Sequence, residues 1–311
     1  DLIPNILNSV GEPDLKTEVF GTKMDLPIFL SPTAMQSLYH PDGDKASARA
    51  AEKFGTIYSM STMASFSIEE IANLSSGPKI FQLYIHKDQS ITNDLIDRCK
   101  RANFNGMCIT VDTIVAGNRE RDHRTGFTTP PKFTLDSLMS FAMRPQWVFN
   151  YFTHKKFELA NLKDKVDKGT NIAQSVMGYI NEQYDPAMNW KDAEYCIKKW
   201  DGPIALKGVM SVDDAKRAID IGCTAIMISN HGGRQLDGSR SPFDQVKAIR
   251  DAVGGKLEVI LDGGVRRGTH VLKALAAGAT AYAKSLQSEG SSERRPSGNI
   301  RIHQKFKIKV P

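Results

Sequence analysis

Long apolar runs are missing from this 311-residue chain: it has no stretch of eighteen or more hydrophobic residues, so no segment reads as a helix able to cross a bilayer. Cysteine is scarce and scattered. Cys99, Cys108, Cys196 and Cys223 form no Cys-x-x-Cys pair, and no histidine stands at a spacing that suggests zinc. That argues against a disulfide scaffold or a metal site and for reduced, mostly buried thiols in a reducing, cytoplasmic compartment. Residues 1–8 lack a basic start followed by an apolar core, so no secretory leader is expected, and the missing initial Met reads as a processed product or a fragment. Blocks of one charge sign are also lacking. The net charge is +6 and the pI about 9.0, yet acidic residues interleave with basic ones until the last stretch. This favours an anionic small substrate or an acidic membrane surface, and no nucleic acid. No Gly-x-Gly-x-x-Gly motif follows the first apolar run, which counts against a doubly wound dinucleotide fold.

What is present is an alternation. Short β-rich apolar runs at 27–31, 56–60, 80–84, 106–111, 204–207, 225–229, 258–261 and 279–283 are the expected strands. Amphipathic stretches at 45–54, 68–73, 91–102, 192–199, 212–221, 243–253 and 268–277 are the expected helices. Eight βα units predict an α/β fold of the (β/α)8 barrel type, with a doubly wound sheet as the alternative. The apolar fraction of 41% suits one large core. The expected domain spans residues 1–287, with a long insertion at 113–203 after the fourth strand and an atypical polar, basic tail at 288–311.

A barrel places its chemistry just past the carboxyl end of each strand. Seven consecutive strand ends carry polar, charged or glycine residues: Pro32-Thr33-Ala34, Ser61-Thr62, Gln82 with Tyr84, Thr110 with Asp112, Lys207-Gly208, Ser229-Asn230-His231, and Asp262-Gly263-Gly264-Val265-Arg266. In residues 229–237, His231 and Arg234 stand three apart, with Gly232 and Gly233 allowing a tight turn between them. An imidazole serves as a base near neutral pH, and a guanidinium holds a carboxylate in a fork. Taken singly these residues have ordinary readings: Asp112 as a strand-end cap, Tyr84 as a core aromatic, Lys207 as a snorkelling surface residue, Arg119 as part of a solvated charged loop.

The segments Ser31 to Gln36, Ser59 to Ser65, Gln82 to Tyr84, Thr110 to Asp112, Asn118 to Asp122, Leu206 to Val209, Ser229 to Asp237 and Asp262 to Gly268, in this order, resemble the FMN-dependent α-hydroxy acid dehydrogenase and oxidase family across residues 2–281. That family includes glycolate oxidase, lactate oxidase, mandelate dehydrogenase and the flavin domain of flavocytochrome b2. The resemblance implies FMN as cofactor and His231 as the base, with Asp112 orienting its ring. It also implies Arg119 and Arg234 on the substrate carboxylate and Tyr84 near the substrate hydroxyl. Lys207 would face the flavin N1/O2 edge. Pro32, Thr33, Ala34, Ser61, Gln82, Thr110 and Ser229 would surround the isoalloxazine, Asp262 would contact the ribityl chain, and Gly263, Gly264 and Arg266 would lie at the phosphate.

The implied reaction is oxidation of an L-2-hydroxy acid, L-lactate to pyruvate being the expected case. Residues 140–157 mix aromatic with basic side chains, which suits peripheral contact with the inner membrane, a helix packed on the barrel, or an oligomer contact. The region resembles that of bacterial respiratory L-lactate dehydrogenases, implying a quinone or cytochrome acceptor; the alternative is an oxidase that gives hydrogen peroxide from oxygen. The family often forms tetramers. Two departures stand out: the family's further N-terminal segment with a substrate-contacting Tyr is not seen, and residues 283–287 replace its Gly-Arg phosphate pair. They suggest a second alternative, a truncated and catalytically impaired barrel; a phosphate-binding barrel of other chemistry, such as an isomerase, is a third. His270 stands where the family has Asp.

Overall fold

The computed structural model describes residues 2, 13–115, 117, 120, 124, 134–154, 158–163 and 182–284. Arg119, residues 155–157, the tail at 288–311 and much of the insertion at 113–203 lie outside them.

The expected strands close into a barrel of eight parallel strands. A hairpin, β1 (Thr17–Val19) and β2 (Thr22–Met24), precedes it. The barrel strands are β3 (Ile28–Leu30), β4 (Tyr58–Ser61), β5 (Lys79–Leu83), β6 (Gly106–Thr110), β7 (Ile204–Val209), β8 (Ala225–Ile228), β9 (Glu258–Asp262) and β10 (Ala281–Lys284), and β10 pairs with β3 to close the sheet. The helices are α1 (Gly43–Lys53), α2 (Ile68–Leu74), α3 (Gln89–Arg101), α4 (Leu135–Ala142), α5 (Pro145–Thr153), α6 (Trp190–Trp200), α7 (Val212–Asp220), α8 (Pro242–Val253) and α9 (Gly268–Ala276). Their starts have local causes. Ser67 and Glu70 form a reciprocal capping box at α2, Asn189 and Asp192 do so at α6, and Ser211 caps α7.

Alternating strand residues divide the core in two. One set, including Phe29, Ile80, Cys108, Met227 and Ile260, fills the barrel interior; the other, including Leu30, Phe81, Ile109, Ile226 and Leu261, packs under the helices. The hairpin was not expected. It stoppers the amino-terminal mouth: Val19, Phe20 and Met24 join the interior cluster, and the Phe20 N–H donates to the Glu258 carboxylate at 2.9 Å. Its turn places Phe20 and Gly21 both at positive φ (54° and 66°), the two-residue geometry that matches strand twist. With that end plugged, the opposite mouth is where side chains remain available.

Candidate active site

All eight strands run the same way, so their carboxyl ends open on one face. Two side-chain networks line it. In the first, the buried Asp262 carboxylate accepts hydrogen bonds from Ser31 Oγ and Ser229 Oγ, each at 2.8 Å, and lies 3.2 Å from Lys207 Nζ. Lys207 Nζ also donates to Ser229 Oγ at 3.3 Å. Burial alone would pull the lysine down, but the Asp262 and Asp112 carboxylates outweigh it and hold the ammonium above its ordinary range. Lys207 is therefore a fixed, buried cation, and the reading of it as a snorkelling surface residue is corrected. In the second network, Ser61 Oγ donates to Gln82 Oε1 at 3.2 Å, and Gln82 Nε2 donates to Thr110 Oγ1 at 2.9 Å.

Between the networks stands an imidazole–carboxylate pair. His231 Nδ1 lies 3.0 and 3.2 Å from the two Asp112 oxygens. A carboxylate only accepts, so the ring proton belongs on Nδ1 and the Nε2 lone pair stays basic. Asp112 is pushed up by burial, yet the His231 hydrogen bond and the Lys207 charge outweigh this and hold it below the usual carboxylate range. Backbone geometry makes the pairing possible. His231, Gly232 and Gly233 all have positive φ (56°, 67° and 70°), and the His231 N–H is held by Ser229 Oγ at 3.1 Å. A β-bulge at Lys207 to Val209 puts Gly208 at φ 107°, where a Cβ would stand 2.6 Å from that of Asp112. Only glycine leaves Asp112 that space.

Of the residues expected from sequence, Ser61, Gln82, Thr110, Lys207, Ser229 and Asp262 are brought together as buried polar groups, and Asp112 and His231 meet directly. Tyr84 continues from β5, packs on Tyr184 with ring centroids 5.4 Å apart, and is near enough to Lys207 to act on its charge. Thr33 is buried, with Pro32 and Ala34 half-buried beside it. Gly263 is half-buried, while Gly264, Arg234 and Arg266 are exposed on the same face; Arg119 lies outside the described residues. Sequence reasoning missed three participants. Ser31 holds Asp262, Thr113 Oγ1 donates to Asp112 at 3.1 Å, and Gln235 Nε2 donates to the Asp112 and Val115 carbonyls at 3.3 and 3.0 Å. Ser31 and Thr113 were findable as polar residues at strand ends; Gln235 had no such signal.

The donor set fits a flavin: an amide, hydroxyls and a buried ammonium lie along one rim, and beyond Asp262 the positive-φ glycines Gly263 and Gly264 have nothing within 4 Å of where a Cβ would stand. With a basic Nε2 adjoining, the arrangement can deprotonate a substrate beside an electron acceptor.

Residues 1–284 match the FMN-dependent dehydrogenase family. The chain is 39% identical over 289 residues to an L-lactate oxidase of a Nostoc species, covering 90% of this chain and 72% of that protein. It is 39% identical over 276 residues to glycolate oxidase of Spinacia oleracea, covering 89% and 69%, and 37% identical over 275 residues to an L-lactate dehydrogenase of Vibrio cholerae, covering 88% and 72%. Among solved structures it resembles (S)-mandelate dehydrogenase, described as a monotopic membrane protein, with TM-score 0.85, 31% identity and coverage of 91% and 74%. A mandelate oxidase bound to (S)-4-hydroxymandelic acid gives TM-score 0.76 and 34% identity, covering 92% and 74%.

Proposed function

This chain belongs to the FMN-dependent α-hydroxy acid oxidoreductases, enzymes that oxidise 2-hydroxy acids, and within that family we propose that it oxidises L-lactate to pyruvate and passes the electrons to a quinone or cytochrome at a membrane. The observation that carries the reaction is the 3.0 Å contact of His231 Nδ1 with Asp112, which leaves Nε2 free to accept a proton from the substrate. Asp112 stabilises the imidazolium so formed. Arg234 and Arg119 hold the substrate carboxylate, and Tyr84 donates to the substrate oxygen. FMN, when bound, supplies the two-electron acceptor. Pro32, Thr33, Ala34, Ser61, Gln82, Thr110 and Ser229 would hold its ring, Lys207 would supply a positive charge to it, and Asp262, Gly263, Gly264 and Arg266 would hold its ribityl phosphate.

The acceptor half rests on the α4–α5 pair. On one side Phe141, Trp147 and Tyr151 stack with centroids 5.3 and 5.1 Å apart, and Trp147 Nε1 donates to the Leu38 carbonyl at 2.9 Å, docking the pair on the loop that leads from Pro32–Ala34. Elsewhere on the pair Leu135, Met139, Met143, Phe149 and Phe152 are 62 to 85% exposed. Among the described residues no helix is long and apolar enough to cross a membrane, so contact would be interfacial. A second reading, an oxidase that delivers electrons to oxygen, is supported by the 39% identity to an L-lactate oxidase.

The test is direct. The full chain should show a flavin spectrum that bleaches without air on adding L-lactate, faster than with glycolate or (S)-mandelate; colourless protein that takes up no FMN would sink the reading. Quinone reduction outpacing oxygen uptake supports the membrane acceptor, and the reverse supports the oxidase. Changing Leu135, Phe149 and Phe152 together to Ser should abolish flotation with anionic vesicles while leaving dye reduction by L-lactate intact. Unchanged flotation would remove the helical pair from that role.

A further inference from the structure

Beside the first rim loop lies a buried polar cluster that no step of the reaction uses. After β3 the chain turns through Pro32, Thr33 and Ala34 into a short 3-10 helix at Gln36–Leu38, ahead of α1. Met35 stands between them at φ 55°, a left-handed conformation that disfavours any side chain with a Cβ, and its N–H is tied to the Met63 carbonyl at 3.0 Å. A loop strained in this way keeps its shape only where its surroundings impose it.

The buried Gln36 side chain imposes it here. Its Nε2 donates to the Thr33 carbonyl at 3.3 Å, and Ser47 Oγ on α1 donates to its Oε1 at 2.6 Å. A carbonyl only accepts, so Nε2 is the atom that faces Thr33 and the amide has one orientation. Buried beside it, the Tyr58 hydroxyl donates to one oxygen of the Asp44 carboxylate at 2.8 Å, and the other oxygen accepts the Ser65 N–H at 2.9 Å. With its proton committed to Asp44, the phenol oxygen is left as an acceptor, and the Gln36 amide is near enough to act on it as a donor. Ser47 on one side and the Asp44–Tyr58 pair on the other therefore demand the same amide orientation.

The consequence falls on the Thr33–Ala34 peptide. With its carbonyl held by Gln36, its N–H points the opposite way, as in any trans peptide, and among the described residues no acceptor takes the Ala34 N–H. A backbone donor left over on the face that carries Ser61, Gln82 and Thr110 is available to a ligand. We propose that Gln36 is a positioning residue: aligned by Ser47 and by the Asp44–Tyr58 pair, its amide fixes the Thr33–Ala34 peptide plane and so makes the Ala34 N–H a fixed donor to the flavin ring. The proposal rests on FMN as the cofactor and on Pro32–Ala34 bordering its ring. A donor aimed at the ring stabilises added electron density there, so Gln36 acts on how readily the bound flavin is reduced.

The full chain loaded with FMN and equilibrated without air against a reference dye reports the reduction potential of the bound flavin, with no substrate present. Gln36→Met keeps the side-chain length and removes the donor; it should lower the potential by about 30 mV, a tenfold change in a two-electron equilibrium. Should that variant hold no flavin, Ser47→Ala, which keeps the amide and frees it to turn, reads the same quantity and should lower the potential in the same sense. An equilibrium within twofold of the unaltered protein, or a raised potential, in whichever variant holds flavin overturns the positioning role and leaves FMN as the cofactor. Loss of flavin from both variants overturns it too, by making the cluster a requirement for binding. Failure of the unaltered protein to take up FMN overturns the premise and the proposal together.

Discussion

Replacing Asp112 by Asn keeps the side-chain volume and removes the charge behind His231. The pair is in contact at 3.0 Å, with the side chains 25% and 14% exposed. At about 4 Å between charge centres, the attraction of carboxylate and imidazolium is about 4 kcal/mol for an effective dielectric of about 20, and about 1 kcal/mol in water. Partial exposure places this pair between those limits, at about 2–3 kcal/mol, which is about 30- to 150-fold in the rate of a step that creates the imidazolium. A second effect adds to it. The Asn amide can turn its NH2 toward Nδ1, which then becomes the acceptor and sends the ring proton to Nε2, the atom that has to receive the substrate proton. Together the two effects predict a fall of about 10²–10⁴ in flavin reduction, the range usual for losing general-base function.

Anaerobic stopped-flow bleaching by L-lactate measures this step apart from the electron acceptor. FMN affinity should change less than threefold, because Asp112 accepts from His231 and Thr113 and reaches the Ser31–Lys207–Ser229–Asp262 network only through its charge on Lys207, while Asp262 stays in contact with that lysine. Bleaching within threefold of the unaltered rate would refute the reasoning, since neither the charge nor the ring tautomer would then matter. A large loss of bound FMN would refute it differently, by making Asp112 part of the cofactor cradle.

Lys207→Met leaves Asp262 buried with only hydroxyl donors and should lower stability by about 3–5 kcal/mol in urea unfolding, with much of it regained in Lys207→Met/Asp262→Asn; equal loss in single and double variants would contradict the pairing. Phe20→Ala, which unplugs the amino-terminal mouth, should cost about 3–5 kcal/mol and leave the L-lactate KM unchanged. Asp44, buried against Tyr58 and Ser65, is raised by burial from 3.8 to about 6, so its contribution to stability is full below pH 4 and is lost as pH rises to 6. His86, lowered by burial from 6.5 to about 4, has the opposite slope: its contribution is full above pH 6.5 and is lost as pH falls to 4. Each is worth roughly 3 kcal/mol at about 1.36 kcal/mol per pH unit, so they nearly cancel in the unaltered protein. Asp44→Asn should therefore make stability rise across this window and His86→Gln should make it fall, both read by urea unfolding at each pH; two flat profiles would remove the effect.

The parts legible in the sequence were those whose cause is local. Each barrel strand is a short apolar run ended by a polar or glycine residue, and the residue at that end faces the rim whatever the partners are, so Ser61, Gln82, Thr110, Ser229 and Asp262 could be placed one at a time. Lys207 shows the limit. Its own neighbours, Leu206 and Gly208, do not reveal that Asp262, fifty-five residues later, will neutralise it in the interior. Gln235 has the same character, since its partners lie 123 and 120 residues earlier.

The hairpin escaped notice for a different reason. Strands of three residues are too short for a period of two to register, and Phe20-Gly21 is not a recognisable turn dipeptide, because phenylalanine at positive φ is disfavoured unless burial holds it there. The barrel mouth supplies that burial, so the turn is a consequence of the fold rather than a signal for it. The same distinction applies at His231. Its positive φ is strained for a side chain with a Cβ, and what holds it is the Ser229 hydroxyl on its N–H and the Asp112 carboxylate on its ring, contacts that exist only once β6 and β8 share a rim. The motif states which groups are present; the closed barrel sets the base at the distance that gives it a working tautomer.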